Sequence, residues 1–232
     1  MNRYQTVPPQ TLAQLLQFDT CTVSNAIETF GVRLRNEGFT DGTVRCLQPL
    51  VEPMLGYAVT GRIRTSTAPI SGKFYYDRMD WWNYVASLPE PRVIVLQDVD
   101  HGVGTGAIFG EIHANICCAL GCVGYVTNGA VRDLPALEAL GFHVFASSVS
   151  VSHAYAHIIE FGESVEVGGL RIKPGDLLHG DRHGVQSIPI PIATEVPRIA
   201  IGLQAREQRF LEYLRSREFS LETLGQRISE LI

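Results

Sequence analysis

Between residues 91 and 147 the chain alternates short apolar runs with helix-length segments, and this alternation limits its fold more than any other feature. PRVIVLQDVD at 91–100 is rich in β-branched residues and closes on acids, which suits a buried strand that delivers its C-terminal end to a site. After a Gly-rich loop, GEIHANICCALG is bounded by Gly110 and Gly121 and predicts a helix. CVGYVTNG at 122–129 predicts a second buried strand, LPALEALG at 134–141 a short helix ending at Gly141, and HVFAS at 143–147 a third strand. The order β-loop-α-β-turn-α-β favours parallel pairing with right-handed crossovers.

The flanks extend this α/β pattern. Residues 10–31 predict a helix pair, with Thr11 as N-cap of LAQLLQF and Asp19 or Thr20 starting TVSNAIETF, which stops at Gly31. Pro49 to Met54 form a turn-rich approach to GYAVTGRIRTS, an alternating strand at 56–66. DRMDWWNYVASL at 77–88 has helical spacing, and Pro89 and Pro91 end it. Residues 158–190 have the texture of a β-meander, with turns at Gly168-Gly169, Pro174-Gly175 and His183-Gly184. From Glu195 the sequence is helical again. No linker or repeat interrupts the chain, so a single domain over 1–232 is expected, with an N-terminal helical segment at 10–31 and C-terminal helices at 195–232.

Net charge is −5, and only Lys73 and Lys173 are lysines. No basic run occurs, so no nucleic-acid partner is expected, and no apolar run approaches the length of a membrane span. The five cysteines, Cys21, Cys46, Cys117, Cys118 and Cys122, contain no Cys-x-x-Cys pair, and no secretory signal precedes them. They predict reduced, mostly buried thiols in a cytoplasmic protein.

The stretch GTGAIFGEIHANICCALGCVGYVTNGAVRD, Gly104 to Asp133, carries the candidate chemistry. Gly110 at a helix start lets backbone amides meet a small anion, and Glu111 follows in the first turn, where the helix dipole favours it in any case. Arg132-Asp133 has two readings. One is an Asp N-cap beside a solvated Arg; the other is a guanidinium fork for a carboxylate next to an oxygen ligand for a divalent cation. His153 and His157 would share one face of a helix, with packing or hydrogen bonding favoured over a metal pair. HGDRHGV at 179–185, with His179 and His183, is either a rim of the same site or a polar turn whose Asp181 bonds its own backbone. Cys117 and Cys118 sit in apolar context and read as core rather than as nucleophiles. Neither lysine looks buried, which disfavours a Schiff-base lyase and favours a metal-stabilised enolate. The segment Gly104 to Ala107 is too short for a methyltransferase cofactor loop.

These residues resemble the RraA-like family, which includes class II aldolases acting on 4-hydroxy-4-methyl-2-oxoglutarate. The resemblance rests on FGEIHA at 109–114, NGAVRD at 128–133 and LxxLGFxVFA at 137–146. VGGLxIxPGD at 167–176, DRHGV at 181–185 and DTCTVSNA at 19–26 add support, and the match runs over roughly 15–215. An acid, twenty residues, then Arg-Asp is the aldolase signature, met here by Glu111, Arg132 and Asp133, with Glu where the best-known aldolase has Asp.

The resemblance implies a three-layer ββα swivelling sandwich with C-terminal helices, assembled as a homotrimer or dimer of trimers around intersubunit sites. It implies a small α-keto acid substrate, bound through the amides of Gly110, Glu111, Ile112 and His113 and by Arg132. It implies Mg2+ or Mn2+ on Asp133, with Glu111 assisting through water. Cleavage of a 4-hydroxy-2-keto acid to pyruvate and decarboxylation of oxaloacetate are the expected reactions; the alternative within the family is a non-catalytic regulator that contacts a ribonuclease. The sequence departs from the aldolase pattern at 148–166, and Glu207 and Glu212 both lie where the family's C-terminal Glu is expected.

Overall fold

The structure is a computed structural model, and it describes residues 4–48, 52–70, 77–100 and 105–231. Lys73, Gly104 and the first part of the 49–54 turn lie outside the described residues.

The 91–147 alternation folds as expected. Strands β2 (Met54–Arg64), β3 (Arg92–Asp98), β4 (Cys122–Thr127) and β6 (His143–Ala146) pair in parallel in the order β2-β3-β4-β6. Antiparallel strands extend both edges: β1 (Arg45–Cys46) on β6, and β11 (Leu177–Asp181) followed by β12 (Gly184–Ile188) on β2. β8 (His157–Phe161) pairs with the far half of β2.

Strand alternation sends successive side chains to opposite faces of this sheet. Val59, Ile63, Ile94, Leu96, Tyr125 and Val144 point to one face and bury against α3 (Met79–Ser87), α4 (Glu111–Ala119) and α5 (Leu134–Ala139). On the same face, Leu55, Tyr57, Leu177 and Ile188 meet α1 (Pro9–Leu15), α2 (Thr20–Glu28) and α6 (Val196–Arg215). Ala58, Val93, Val95, Val126 and Phe145 point to the other face, which the hairpin of β9 (Val165–Val167) and β10 (Leu170–Ile172) covers. The result is a mixed α/β fold of helices, large sheet and small sheet. α7 (Leu221–Leu231) packs against α6. No described helix is long and apolar enough to cross a membrane.

Several local expectations differ from what the chain does. Thr11 is not an N-cap. Pro9 occupies the first helical position, and the carbonyl of Pro8 accepts the Thr11 and Leu12 N–H groups at 2.9 and 3.1 Å. Proline fits that position because its missing N–H would lack an intrahelical partner anyway. Asp19 does cap α2, accepting the Thr22 amide at 2.8 Å. His153 and His157 share no helix: residues 150–156 form a turn-rich loop, and His157 opens β8. Of the cysteines only Cys117 and Cys122 are buried. Cys118, one helical position on from Cys117, faces solvent, as does Cys21. Lys173 is exposed.

At the sheet end away from these loops, Arg92 fastens two helix termini. Its Nε donates to the Leu88 carbonyl at 2.8 Å, Nη2 to Ala86 at 2.9 Å and Nη1 to the carbonyl of Leu120, while exposed Glu90 supplies the counter-charge. Those carbonyls end α3 and α4 and have no further helical turn to bond to. Arg92→Met is expected to cost about 2–4 kcal/mol by leaving them without donors. A urea midpoint equal to that of the parent chain would contradict this.

Candidate active site

The loop before α4 and the turn before α5 are joined as neighbouring strands. Phe109 and Val131 form a parallel bridge, and the Arg132 N–H donates to the Phe109 carbonyl at 3.0 Å. Val131 belongs to β5 (Ala130–Val131), which pairs in parallel with β7 (Ser148–Val149). This juxtaposition brings Gly110 and Glu111 against Arg132 and Asp133. The approach requires glycine. A Cβ on Gly110 would collide with Asp133 Oδ2 and stand 2.9 Å from Arg132 Cγ.

Asp133 does not cap its own helix. Its carbonyl starts α5 by accepting from Ala136 and Leu137 at 3.0 and 3.2 Å, but its side chain turns to α4. Oδ2 accepts the Glu111 amide at 3.1 Å, and Oδ1 accepts from Arg132 Nε at 3.2 Å. The carboxylate therefore sits at the positive end of the neighbouring helix, where an anion is favoured. To reach it the Asp133 backbone adopts φ 57°, ψ 37°, the left-handed region, which Asp tolerates better than most residues. The N-cap reading of Asp133 was drawn for α5, and the structure moves the capping role to α4.

Arg132 uses Nε for Asp133, and among the described residues its Nη1 and Nη2 make no hydrogen bond. Glu111 and Ile112 are exposed. His113 lies in the first turn of α4, with its Nδ1 3.4 Å from the Ile108 carbonyl. Its imidazole is fully buried, stacked on Phe109 at 4.7 Å and edge-on to Trp82 at 5.1 Å. Burial pushes its pKa down to about 3, so the ring is neutral at physiological pH and serves as a packing wedge beneath α4.

Gly110, Glu111, Ile112, Arg132 and Asp133 line one cavity of about 90 Å³, together with Ile108 and His153. His153 is the residue that sequence reasoning left out of the site. Its signals were the departure of 148–166 from the aldolase pattern and the four-residue spacing to His157. Among the described residues, the other histidines do not line this cavity. His157 bonds the Tyr155 carbonyl at 2.8 Å, and His179 is buried against Thr20 Oγ1 at 3.0 Å. His183 pairs with Asp181 at 3.0 Å, and Asp181 also accepts the His183 amide, so the 179–185 segment is a polar turn. It lines a different cavity, of about 180 Å³, with Thr20, Cys21 and Ser24. Glu207 and Glu212 are exposed on α6 and do not line the 90 Å³ cavity. Among the described residues no three His, Cys, Asp or Glu side chains gather as a metal cage.

The sequence pattern of the RraA-like family, described as Aldolase/RraA, matches residues 20–186, from α2 to β12. The chain belongs to the RraA-like family. Among relatives, this RraA-like chain is 24% identical over 205 residues to Protein DlpA of Legionella pneumophila subsp. pneumophila, covering 87% of this chain and 31% of that protein. It is 36% identical over 86 residues to a Halalkalibacterium halodurans protein named "Putative 4-hydroxy-4-methyl-2-oxoglutarate aldolase", covering 37% of this chain and 41% of that one. It thus spans less than half the length of these two relatives. Among solved structures, it superposes on Streptomyces coelicolor RraAS2, titled an unusual member of the RNase ES inhibitor RraA protein family. The TM-score is 0.68 and identity 20%, over 92% of this chain and 100% of that one, a likeness of fold.

Gly110→Ala is expected to displace the Asp133 carboxylate from the Glu111 amide while leaving the sheet intact. The amide proton of Glu111 should then exchange at least about tenfold faster, with little change in thermal midpoint. Unchanged exchange would show that the close approach is not required.

Proposed function

We propose that this RraA-like protein is a divalent-metal-dependent lyase that cleaves a small 4-hydroxy-2-keto acid to pyruvate and decarboxylates oxaloacetate. One observation carries the reading: a guanidinium fork, a helix N-terminus and a carboxylate pinned between them line the same small cavity. That combination suits an α-keto acid beside a cation.

The donor set fits a hard cation of the magnesium type. Such an ion keeps most of its waters and takes one or two carboxylates plus substrate oxygens, so a protein cage is not needed. Each Asp133 oxygen accepts one hydrogen bond and keeps a second lone pair for a cation or its water. Asp133 would hold the metal and Glu111 would order water beside it. A bound Mg2+ or Mn2+ would supply Lewis-acid stabilisation of enolate charge.

The chain's own residues do the remaining work. Arg132 directs its Nη atoms to the substrate carboxylate or to the developing enolate oxygen, where a fixed positive charge lowers the barrier. The α4 N-terminus orients the carboxylate through the backbone amides beside the one at Glu111 that Asp133 already engages. Asp133, held by Arg132 Nε and the Glu111 amide, keeps its place without rearrangement during turnover. Ile112, Val149, Val151 and Tyr155 are exposed apolar residues on the cavity-lining α4 turn, β7 and the His153 loop, and they favour coverage by a second copy in a homotrimer or dimer of trimers. A protein-binding regulator of the RraA type needs none of the left-handed Asp133 geometry.

Purified protein with Mg2+ or Mn2+ should release pyruvate from oxaloacetate, and a chelator should remove that activity. Asp133→Asn should reduce the metal-stimulated rate at least about tenfold while preserving the oligomer. A chain inert toward oxaloacetate and 4-hydroxy-2-keto acids with either metal would favour the regulator reading instead.

A further inference from the structure

We infer that His153 is the specificity-determining residue of this cavity, holding the C4 hydroxyl of a 4-hydroxy-2-keto acid; the inference rests on the lyase reading above. The argument begins with the polar side chains that line the cavity: Glu111, Arg132, Asp133 and His153. Arg132 can only donate. Asp133 and Glu111 are acceptor-only carboxylates, and the lyase reading gives them to the cation and its water. A substrate hydroxyl needs a hydrogen-bonding partner, and the His153 ring nitrogens are the lining group not already given a role.

The backbone beneath His153 is fixed from several sides. The Ser152 carbonyl accepts the Ala107 N–H at 2.9 Å, which ties the loop to the segment leading into Gly110. The Tyr155 N–H donates to Thr65 at 3.2 Å, and the Ala156 N–H to the His153 carbonyl at 2.9 Å. Ser152 Oγ accepts the Ala154 N–H at 2.9 Å. Ala154 is held at φ 45°, a conformation that costs an alanine roughly 1 kcal/mol and that persists only where the surroundings impose it. Gly106 backs directly onto this loop, since a Cβ there would lie 2.7 Å from the His153 carbonyl oxygen. A loop strained and braced in this way fixes the backbone of His153 at the cavity. The residue it places in the cavity comes from the stretch that departs from the aldolase pattern, so its selectivity belongs to this chain.

Oxaloacetate has no C4 hydroxyl, which separates this role from the rest of the site. The test compares kcat/KM for 4-hydroxy-4-methyl-2-oxoglutarate and for oxaloacetate, with Mg2+, in the parent, His153→Ala and His153→Gln proteins. His153→Ala should lose about 10- to 100-fold with the hydroxy acid and stay within about threefold of the parent with oxaloacetate. His153→Gln, which restores a donor and an acceptor, should recover part of the loss. Equal losses on both substrates would assign His153 a structural role and overturn the inference, as would no loss on either. A parent protein that decarboxylates oxaloacetate but ignores the hydroxy acid overturns the inference and leaves the decarboxylase reading standing. A parent inert toward both overturns the lyase reading itself.

Discussion

The carboxylate of Asp133 reaches across to the amide of Glu111, and the geometry of the site follows from that reach. It needs a left-handed backbone at Asp133 and the absence of a side chain at Gly110. It also depends on Arg132 lying along Phe109 as a strand neighbour. The left-handed residue costs roughly 1 kcal/mol. Two hydrogen bonds to a charged group, one of them at a helix N-terminus, more than offset it. The arrangement also leaves the outer nitrogens of Arg132 facing the cavity, because Nε alone is used to hold its neighbour.

Much of the sheet was readable in advance, because a strand buried on both faces reads as an apolar run, as residues 93–96 of β3 and 122–126 of β4 do. The pairing of Glu111 with Arg132-Asp133 was likewise readable from spacing and resemblance. The direction of the Asp133 side chain was not. A local capping rule assigns an Asp to the helix that follows it, and here a contact from a distant helix wins. The form of the His153 loop was not readable for a related reason. Ser150 and Ser152 bond their own backbone neighbours, which competes with helix formation, and the Ala107 and Thr65 contacts that complete the loop are invisible to periodicity. Burial of the cysteines failed more simply: on a helix lying over a sheet, adjacent Cys117 and Cys118 cannot both face inward.

The histidines divide by environment in a way composition alone could not announce. His113 and His179 are buried, and desolvation lowers both pKa values, so each packs as a neutral ring. His153 is exposed on a braced loop. One residue type thus serves as core filler beneath α4 and as lining of the cavity above it, and only the packing tells which is which.

The long strand β2 carries a consequence for how this chain is made. One edge pairs with β3, which follows soon after in sequence, but its other edge is shared between β11 and β8, which emerge much later. During synthesis that second edge has no partner until the meander leaves the ribosome. An unpaired apolar edge is a template for wrong pairing with another chain. The growing polypeptide is therefore most exposed to misassembly after β2 and β3 have formed and before the meander arrives, and that interval is where a chaperone would matter most.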